Sequence, residues 1–539
     1  MKLKQIDQLL NDLDHKYDNL REDSKLIACN NVNISFGSKQ ILKAADVNIL
    51  SKHRYGLISP NGQGKSTILK SLANREAAFS TIPTSLDIFY VNQEVDVNDK
   101  TVLENALLAD SERNRLLEAE SFLLERDELE RLNRVYDYLK RIDSETFESR
   151  CHTILSGLQF TKEIRQMPIS ALSGGWRMRL SIATGLIARP SLLLLDEPDN
   201  HLDLIAVIWL ENYLATQWKN TAIIVSHNQG FLDNVCTDIL HLSQLKLHSY
   251  RGDYTDFKRL YAHQIELVKR EHEKITKQIK ELKKHASNNK NKIDSLTTKL
   301  NSIVIPPEYK VKFKIPEPSQ LSHPIFQVHN VSFGYPNREE LFYNLDFGLD
   351  QTNHIGILGL NGVGKTSLLK LLAGELRPTS GQIDQHKKLI IGYFAQHFAE
   401  RLNYDETPVN YLMNKFSDYT VGDVRQLLGQ FGLSGSTHLQ TLNSLSGGQK
   451  SRILLCELFL RKPQLLFLDE PSAHLDLESI NALIEALKTY SGGFILISHD
   501  AHLIREVCSE LWVVKDKNVS RYEGDYDDYR EEVLESFEN

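Results

Sequence analysis

The sequence predicts an α/β protein in which two tandem copies of one phosphate-loop module are joined by an α-helical hairpin. Three observations lead there. A glycine-rich loop ending in Gly-Lys-Ser/Thr occurs at residues 59–66 and again at 359–366, each after a short apolar run and before a helix-favouring stretch. The same companions then follow in the same order: Leu-Ser-Gly-Gly at 172–175 and 445–448, Asp-Glu-Pro at 196–198 and 469–471, and Ser-His at 226–227 and 498–499. Between the copies, Tyr261, Ile265, Val268, His272, Ile275, Ile279 and Leu282 step by four and three, and Ile293, Leu296, Leu300 and Ile303 step by three and four.

At 539 residues the chain has room for roughly three to four domains of ~150 residues. Hydrophobic residues at 41% and charged residues at 25% are the balance of a globular protein and exclude a collagenous or wholly disordered chain. No stretch approaches the roughly 18 apolar residues of a spanning helix, so no membrane insertion is expected. The N-terminus alternates charge and leucine without a cleavable apolar core, which points to a cytoplasmic protein. Five dispersed cysteines without a Cys-x-x-Cys argue against a disulfide framework or a zinc ribbon.

The offset between copies falls from 303 at Gln93/Gln396 to 273 at Ser173/Ser446, so the first copy carries 30 additional residues. Their substance is a Gly- and Pro-free, Leu/Glu/Arg-rich stretch near 101–142, read as a helical arm. The expected organisation is a short N-terminal helical segment (1–25), module one (26–257), the hairpin linker (258–318), module two (319–531) and a short tail (532–539). Within the N-terminal segment, Leu3, Ile6, Leu10, Leu13, Tyr17 and Leu20 keep a heptad step and read as a helix packed on its own module. Residues 258–314 hold 15 Lys/Arg against 6 Asp/Glu, a net of +9 in a chain whose formal charge is −8. A basic rod of roughly 30 Å in its first helix thus joins two acidic bodies.

The residue types specify phosphate chemistry. Asn61, Gly62, Gln63, Gly64, Lys65, Ser66 and Thr67, and Asn361, Gly362, Val363, Gly364, Lys365, Thr366 and Ser367, form loops whose backbone N–H groups converge on phosphates at a helix N-terminus. The lysine reaches the β/γ-phosphates and Ser66 or Thr366 ligates Mg²⁺. Ser59 stands where the motif has its first glycine. Each apolar strand 192–195 and 465–468 delivers two carboxylates at its C-terminal edge. Asp196 and Asp469 hold the metal, and Glu197 and Glu470 polarise the attacking water. Gln93 and Gln396, after strand-like segments, suit metal or water contacts, while His227 and His499 suit the γ-phosphate and the catalytic glutamate. Phe36 and Tyr335 occupy matching places upstream of the loops, where an aromatic face can stack on adenine or serve as core.

Phosphate loop, Gln, Leu-Ser-Gly-Gly, Asp-Glu-Pro, His-Leu-Asp and Ser-His in this order resemble the ATP-binding cassette superfamily. The signatures Leu-Ser-Gly-Gly-Trp-Arg-Met-Arg and Leu-Ser-Gly-Gly-Gln-Lys-Ser-Arg, the arm and the charged helical linker resemble its ABC-F subfamily over residues 26–529. Residues 392–397 and 522–530 are similar to the eukaryotic branch that contains the yeast general-control activator of an eIF2-alpha kinase. The resemblance implies an Mg²⁺-dependent ATPase whose cassettes pair head to tail within one monomeric chain. Each ATP would then lie between one phosphate loop and the other cassette's signature: the first loop with Ser446, Gly447 and Gly448, the second with Ser173, Gly174 and Gly175. It further implies a ribosome-associated factor acting in translation, with the linker near tRNA and rRNA and a translational-control protein as a further partner. The energising subunit of a membrane transporter and a regulatory scaffold of the general-control pathway share the catalytic residues; the charged hairpin favours the ribosomal reading. Asp199 and Ala473 depart from the family's Glu-Pro-Thr-Asn-His-Leu-Asp, and loss of the Asn at 473 is expected to remove a cross-interface hydrogen bond and make the sites unequal.

Overall fold

The computed structural model describes residues 3–18, 24–37, 39–84, 86–91, 98–126, 128–284, 290–303, 311–395 and 405–538. Two six-stranded sheets of identical order form its two halves. In the first, Ile88–Val91, Leu192–Asp196, Thr221–Val225, Arg54–Ile58 and Asp238–Ser243 run parallel and Lys246–Arg251 closes the edge antiparallel. In the second the same order is kept by Ile391–Phe394, Leu465–Asp469, Gly493–Ile497, His354–Leu358, Glu510–Lys515 and Asn518–Arg521. A parallel sheet is covered on both faces, which is why its central strands read as unbroken apolar runs. Leu192 to Leu195 and Leu465 to Leu468 are all buried. Separate antiparallel sheets, Lys25–Phe36 with Lys39–Leu50 and Phe326–Gly334 between Glu340–Leu349 and Ser380–Gln385, cover the side where the phosphate-loop helices lie.

Register places the chemistry at one edge. Asp196 pairs with Val225 and Asp469 with Ile497, so the carboxylates and the Ser-His pairs that follow Val225 and Ile497 leave their sheets side by side.

In the first cassette a helical hairpin, Ser111–Leu124 and Leu129–Arg141, stands between Val102–Leu108 and Phe147–Gly157. In the second, Pro408–Lys415 is followed directly by Val421–Gln430. The additional residues are therefore this hairpin, whereas the capped helix Val102–Leu108 has a counterpart. The N-terminal helix Leu3–Asp18 completes a three-helix bundle with it: Ile6, Leu10 and Leu13 are buried among Leu116, Leu123, Leu132 and Val135. Arg131 clamps Asp7 at 2.7 and 3.2 Å, and Arg134 meets Asp14 at 2.7 Å.

The linker's first helix, Tyr254–Lys284, has 31 residues, about 46 Å at ~1.5 Å per residue. It exceeds the expected rod because its first turn belongs to the first cassette, where Tyr254 and Phe257 are buried beside Ile58, Leu232 and Ile239. It returns as Lys290–Ser302, with Ile275 and Ile279 buried and Lys299 paired to Glu271 at 2.9 Å. Residues 285–289 of the expected tip lie outside the described residues.

Each half closes on the other. Leu204 and Ile208, in the helix Leu204–Asn212 of the first cassette, belong to the hydrophobic cluster of the second, with Tyr526, Tyr529 and Val533 of the C-terminal helix. Reciprocally, Leu477 of the second cassette enters the first cassette's cluster beside Tyr254 and Phe257. Leu10→Ala, which empties a fully buried site in the three-helix bundle, is expected to cost about 2–4 kcal/mol. Hydrogen exchange should then accelerate across residues 111–141 while the sheet strands stay protected.

Candidate active sites at the cassette interface

Both phosphate loops follow a sheet strand and turn at a left-handed glycine into a helix starting at its lysine: Gly64 has φ 101° and Gly364 φ 106°. A Cβ at Gly64 would lie 2.6 Å from the Ile41 side chain. Ser59 is tolerated in the first loop because the positive φ of its counterpart Gly359, 144°, does not recur there. Lys65 Nζ donates to Ser59 O at 3.0 Å, and Lys365 Nζ to Gly359 O at 2.7 Å and Leu360 O at 2.9 Å. Burial pushes both ammonium pKa values down. Glu197 and Asp476 oppose the shift at Lys65, as Glu470 and Asp203 do at Lys365. In each set the second-named aspartate belongs to the other cassette.

The strand-end carboxylates sit where the register puts them. Tyr90 donates its hydroxyl to Asp196 Oδ2 at 3.1 Å, and buried Oδ1 of Asp196 has no hydrogen-bond partner. A hard oxygen donor held this way, within electrostatic reach of the phosphate-loop Lys65, fits a divalent cation such as Mg²⁺. Glu197 and Glu470 both adopt left-handed backbone, φ 50° and 51°. Burial and the neighbouring aspartate raise both pKa values, Glu470 to about 8. His227 Nε2 lies 3.6 Å from Glu197 Oε1 and His499 Nε2 3.3 Å from Glu470 Oε1. Burial, reinforced by Lys65 and Lys365 respectively, pushes these imidazoles down to about 3, so both are neutral at physiological pH.

The two sites are composite. Asn61 of the first phosphate loop donates Nδ2–H to His474 O of the second cassette at 3.1 Å. Buried Gly448 lies against the same pair: a Cβ there would be 2.4 Å from His474 O and 3.4 Å from Asn61 Nδ2. The other signature is open, since Cβ atoms at Gly174 and Gly175 would meet nothing within 4 Å. Ser446 caps its helix through a reciprocal pair with Gln449, at 3.4 and 3.0 Å. Ser173 makes no side-chain cap. Trp176 replaces that Gln and packs at 5.1 Å on Phe160 instead. Facing the open signature's cassette, a cavity of about 420 Å³ runs from Lys365, Glu470 and His499 to Asp199, Asn200 and His227.

Upstream, Tyr335 lines a cavity of about 280 Å³ with Gly364, Lys365 and Ser367, and its hydroxyl lies 3.1 Å from Ser367 Oγ. Phe36, 72% exposed, offers a free ring face. Gln93 and Gln396 lie outside the described residues. The structure adds groups with weak sequence signals. Tyr90 braces Asp196. Arg179 and Arg452, buried, reach Asp203 at 3.2 Å and Asp476 at 3.9 Å. Asn200 donates to Glu197 Oε2 at 2.5 Å, within its own cassette rather than across the interface.

The family model described as "ABC transporter" matches residues 42–200 and 342–473. The chain is 39% identical to ABC transporter F family member 4 of Arabidopsis thaliana, spanning 94% of this chain and 76% of that one. It is 40% identical to human ATP-binding cassette sub-family F member 3, spanning 94% and 74%. The chain belongs to the ABC-F family. It is an ATPase of the ATP-binding cassette type. Among solved structures, the ABC-F chain shares its tandem fold with an archaeal ribosome recycling factor in complex with a ribosomal stalk protein (TM-score 0.61, 18% identity, 93% and 92% coverage). The RNase-L inhibitor matches equally (TM-score 0.61, 19% identity, 94% and 93%). No helix among the described residues is long and apolar enough to cross a membrane.

Because Gly448 is in contact and Gly175 is not, Gly448→Ala should lower the melting temperature of the nucleotide-free ABC-F chain by several degrees, for a cost of about 1–3 kcal/mol. Gly175→Ala should leave it within about 1 °C; calorimetry on the two variants distinguishes them.

Proposed function

We propose that the chain is a ribosome-associated ATPase acting in translation, with one Mg²⁺–ATP in each composite site and the basic hairpin directed at tRNA and rRNA. The contact of Asn61 with His474 and Gly448 carries the composite-site reading, since it joins one cassette's phosphate loop to the other's signature. The division into residues 26–257, 258–318 and 319–531 goes with it. Lys65, Ser66, Gln93, Asp196, Glu197 and His227 would work with Ser446 and Gly448. Lys365, Thr366, Gln396, Asp469, Glu470 and His499 would work with Ser173 and Gly175. Phe36 and Tyr335 would supply the faces for adenine.

Ser66 and Asp196, and Thr366 and Asp469, would hold the metal, which neutralises phosphate charge when bound. The lysines give up loop carbonyls for phosphate oxygens. Glu197 or Glu470 orients a water and accepts its proton, and the neutral imidazole of His227 or His499 bridges that glutamate and the γ-phosphate. Closure of the signature then excludes bulk water and adds backbone N–H groups at the helix N-terminus.

The ribosomal part rests on the hairpin, net +9 over residues 258–314 on an otherwise acidic chain. It is also supported by the fold neighbour, which is a ribosome recycling factor. A transporter subunit has no use for such a rod. Lys65→Ala with Lys365→Ala should abolish Mg²⁺–ATP hydrolysis, read as phosphate release. Glu197→Gln with Glu470→Gln should retain ATP and cosediment with ribosomes more strongly than the parent does in ATP. Neutralising Lys283, Lys284, Lys290 and Lys292 should weaken that association and flatten its salt dependence. Cosedimentation with membranes instead would favour the transporter reading.

A further inference from the structure

The two catalytic glutamates sit in the same backbone turn. The N–H of residue 200 donates to Glu197 O at 3.3 Å and that of residue 473 to Glu470 O at 3.2 Å, and both glutamates have φ near 50°. The side chain that follows is what differs. In the first cassette the Asn200 amide donates to Glu197 Oε2 at 2.5 Å, whereas the second places a methyl group, Ala473, at that position. Glu470 has instead the His499 backbone N–H at 3.3 Å on Oε2, with its Oε1 facing His499 Nε2 at 3.3 Å, and no amide side chain on either oxygen. The neighbouring residue reinforces the difference: Asp199 accepts from Ser226 Oγ at 2.9 Å and so ties the turn to the strand end that carries His227, while Ser472 meets Ser498 hydroxyl to hydroxyl at 3.2 Å.

We propose that Asn200 is a positioning residue for Glu197, fixing the carboxylate that orients the attacking water, and that its absence at Ala473 makes the second glutamate the slower of the two. This rests on the assignment of Glu197 and Glu470 as catalytic. A charge-assisted bond from an amide orients one carboxylate oxygen and leaves the other, Oε1, towards His227 and the reacting water. Asn200 acts through Glu197, whose Oε2 it holds, from a place on the wall of the cavity that reaches Lys365.

The full chain tests this in two backgrounds. With Glu470→Gln, only the first glutamate supports turnover. There Asn200→Ala is expected to slow single-turnover phosphate release from Mg²⁺–ATP about tenfold. Asn200→Asp, of the same shape but without a donor, should be slower still, and Asn200→Ser, which keeps a donor, should be faster than Asn200→Ala. Half-saturating ATP should stay within about twofold throughout, because the interaction is with the base and not the nucleotide. With Glu197→Gln, Ala473→Asn should accelerate the second site severalfold.

An unchanged rate in Asn200→Ala, an Asn200→Asp rate no lower than that of Asn200→Ala, loss of ATP binding in step with rate, or no gain from Ala473→Asn overturns the proposal. Absence of turnover in the Glu470→Gln parent overturns the assignment of Glu197 as a catalytic glutamate that works without the second site, and with it the proposal, before Asn200 is altered.

Discussion

Everything else in this molecule depends on the reciprocal insertion of one leucine from each cassette into the other's core. Leu204 and Leu477 both follow an aspartate that caps its own helix, Asp203 on Ala206 N–H at 2.9 Å and Asp476 on Ser479 N–H at 3.1 Å. A helix start is thus fixed at a place where its first apolar side chain belongs to the opposite half. The partners in both pockets are aromatic, Tyr254 and Phe257 on one side, Tyr526 and Tyr529 on the other. Burial of such surfaces stabilises the pairing without direction. The caps give it register. Asp203 and Asp476, set by that register, supply the negative charge that reaches the opposite lysine.

The pseudo-symmetry so enforced is incomplete, and the departures fall on the same side. The first phosphate loop already touches the facing cassette, and the second signature is capped by Gln449 and buried at Gly448. The first signature has a tryptophan in place of that glutamine. Its ring is taken by Phe160 and by Arg179, 4.8 Å above it, so the loop before it stays exposed. One signature therefore already lies against the facing cassette beside its phosphate loop, while the other is open at its two glycines although residues of both cassettes line the cavity at that site.

Much of the site was legible because each motif states a backbone demand as well as a chemical one. Gly64 and Gly364 are needed for left-handed φ, the Leu runs need two-sided burial, and the carboxylates follow from where such strands end. What escaped was whatever depends on the path between distant segments. The Asn that Ala473 lacks is expected to reach across the interface, yet in the first cassette the turn that closes on Glu197 O brings Asn200 back to its own glutamate. Which signature would be engaged could not be read from two nearly identical tetrapeptides, since the deciding residue, Trp176 or Gln449, acts through a cap in one case and a ring contact in the other. The heptad of the N-terminal segment announced a helix, but its partners became visible only with the bundle around Leu116 and Val135. Ser59 looked like a defect until its ordinary φ showed that the first loop does not require glycine there.

The continuous helix Tyr254–Lys284 gives the core of the first cassette a mechanical output. Its first turn is locked among Ile58, Leu232 and Leu477, which are contributed by both halves of the molecule, so a change in how the halves meet is felt at the fulcrum of a rod about 46 Å long. A rotation of about 5° there displaces the far end by roughly 4 Å, by simple leverage on that length. Closure movements too small to notice beside a γ-phosphate would thus shift the far end of that helix through the width of a side chain. The same aromatic cluster that seals the interface would set the gearing between how the halves meet and how far that helix reaches.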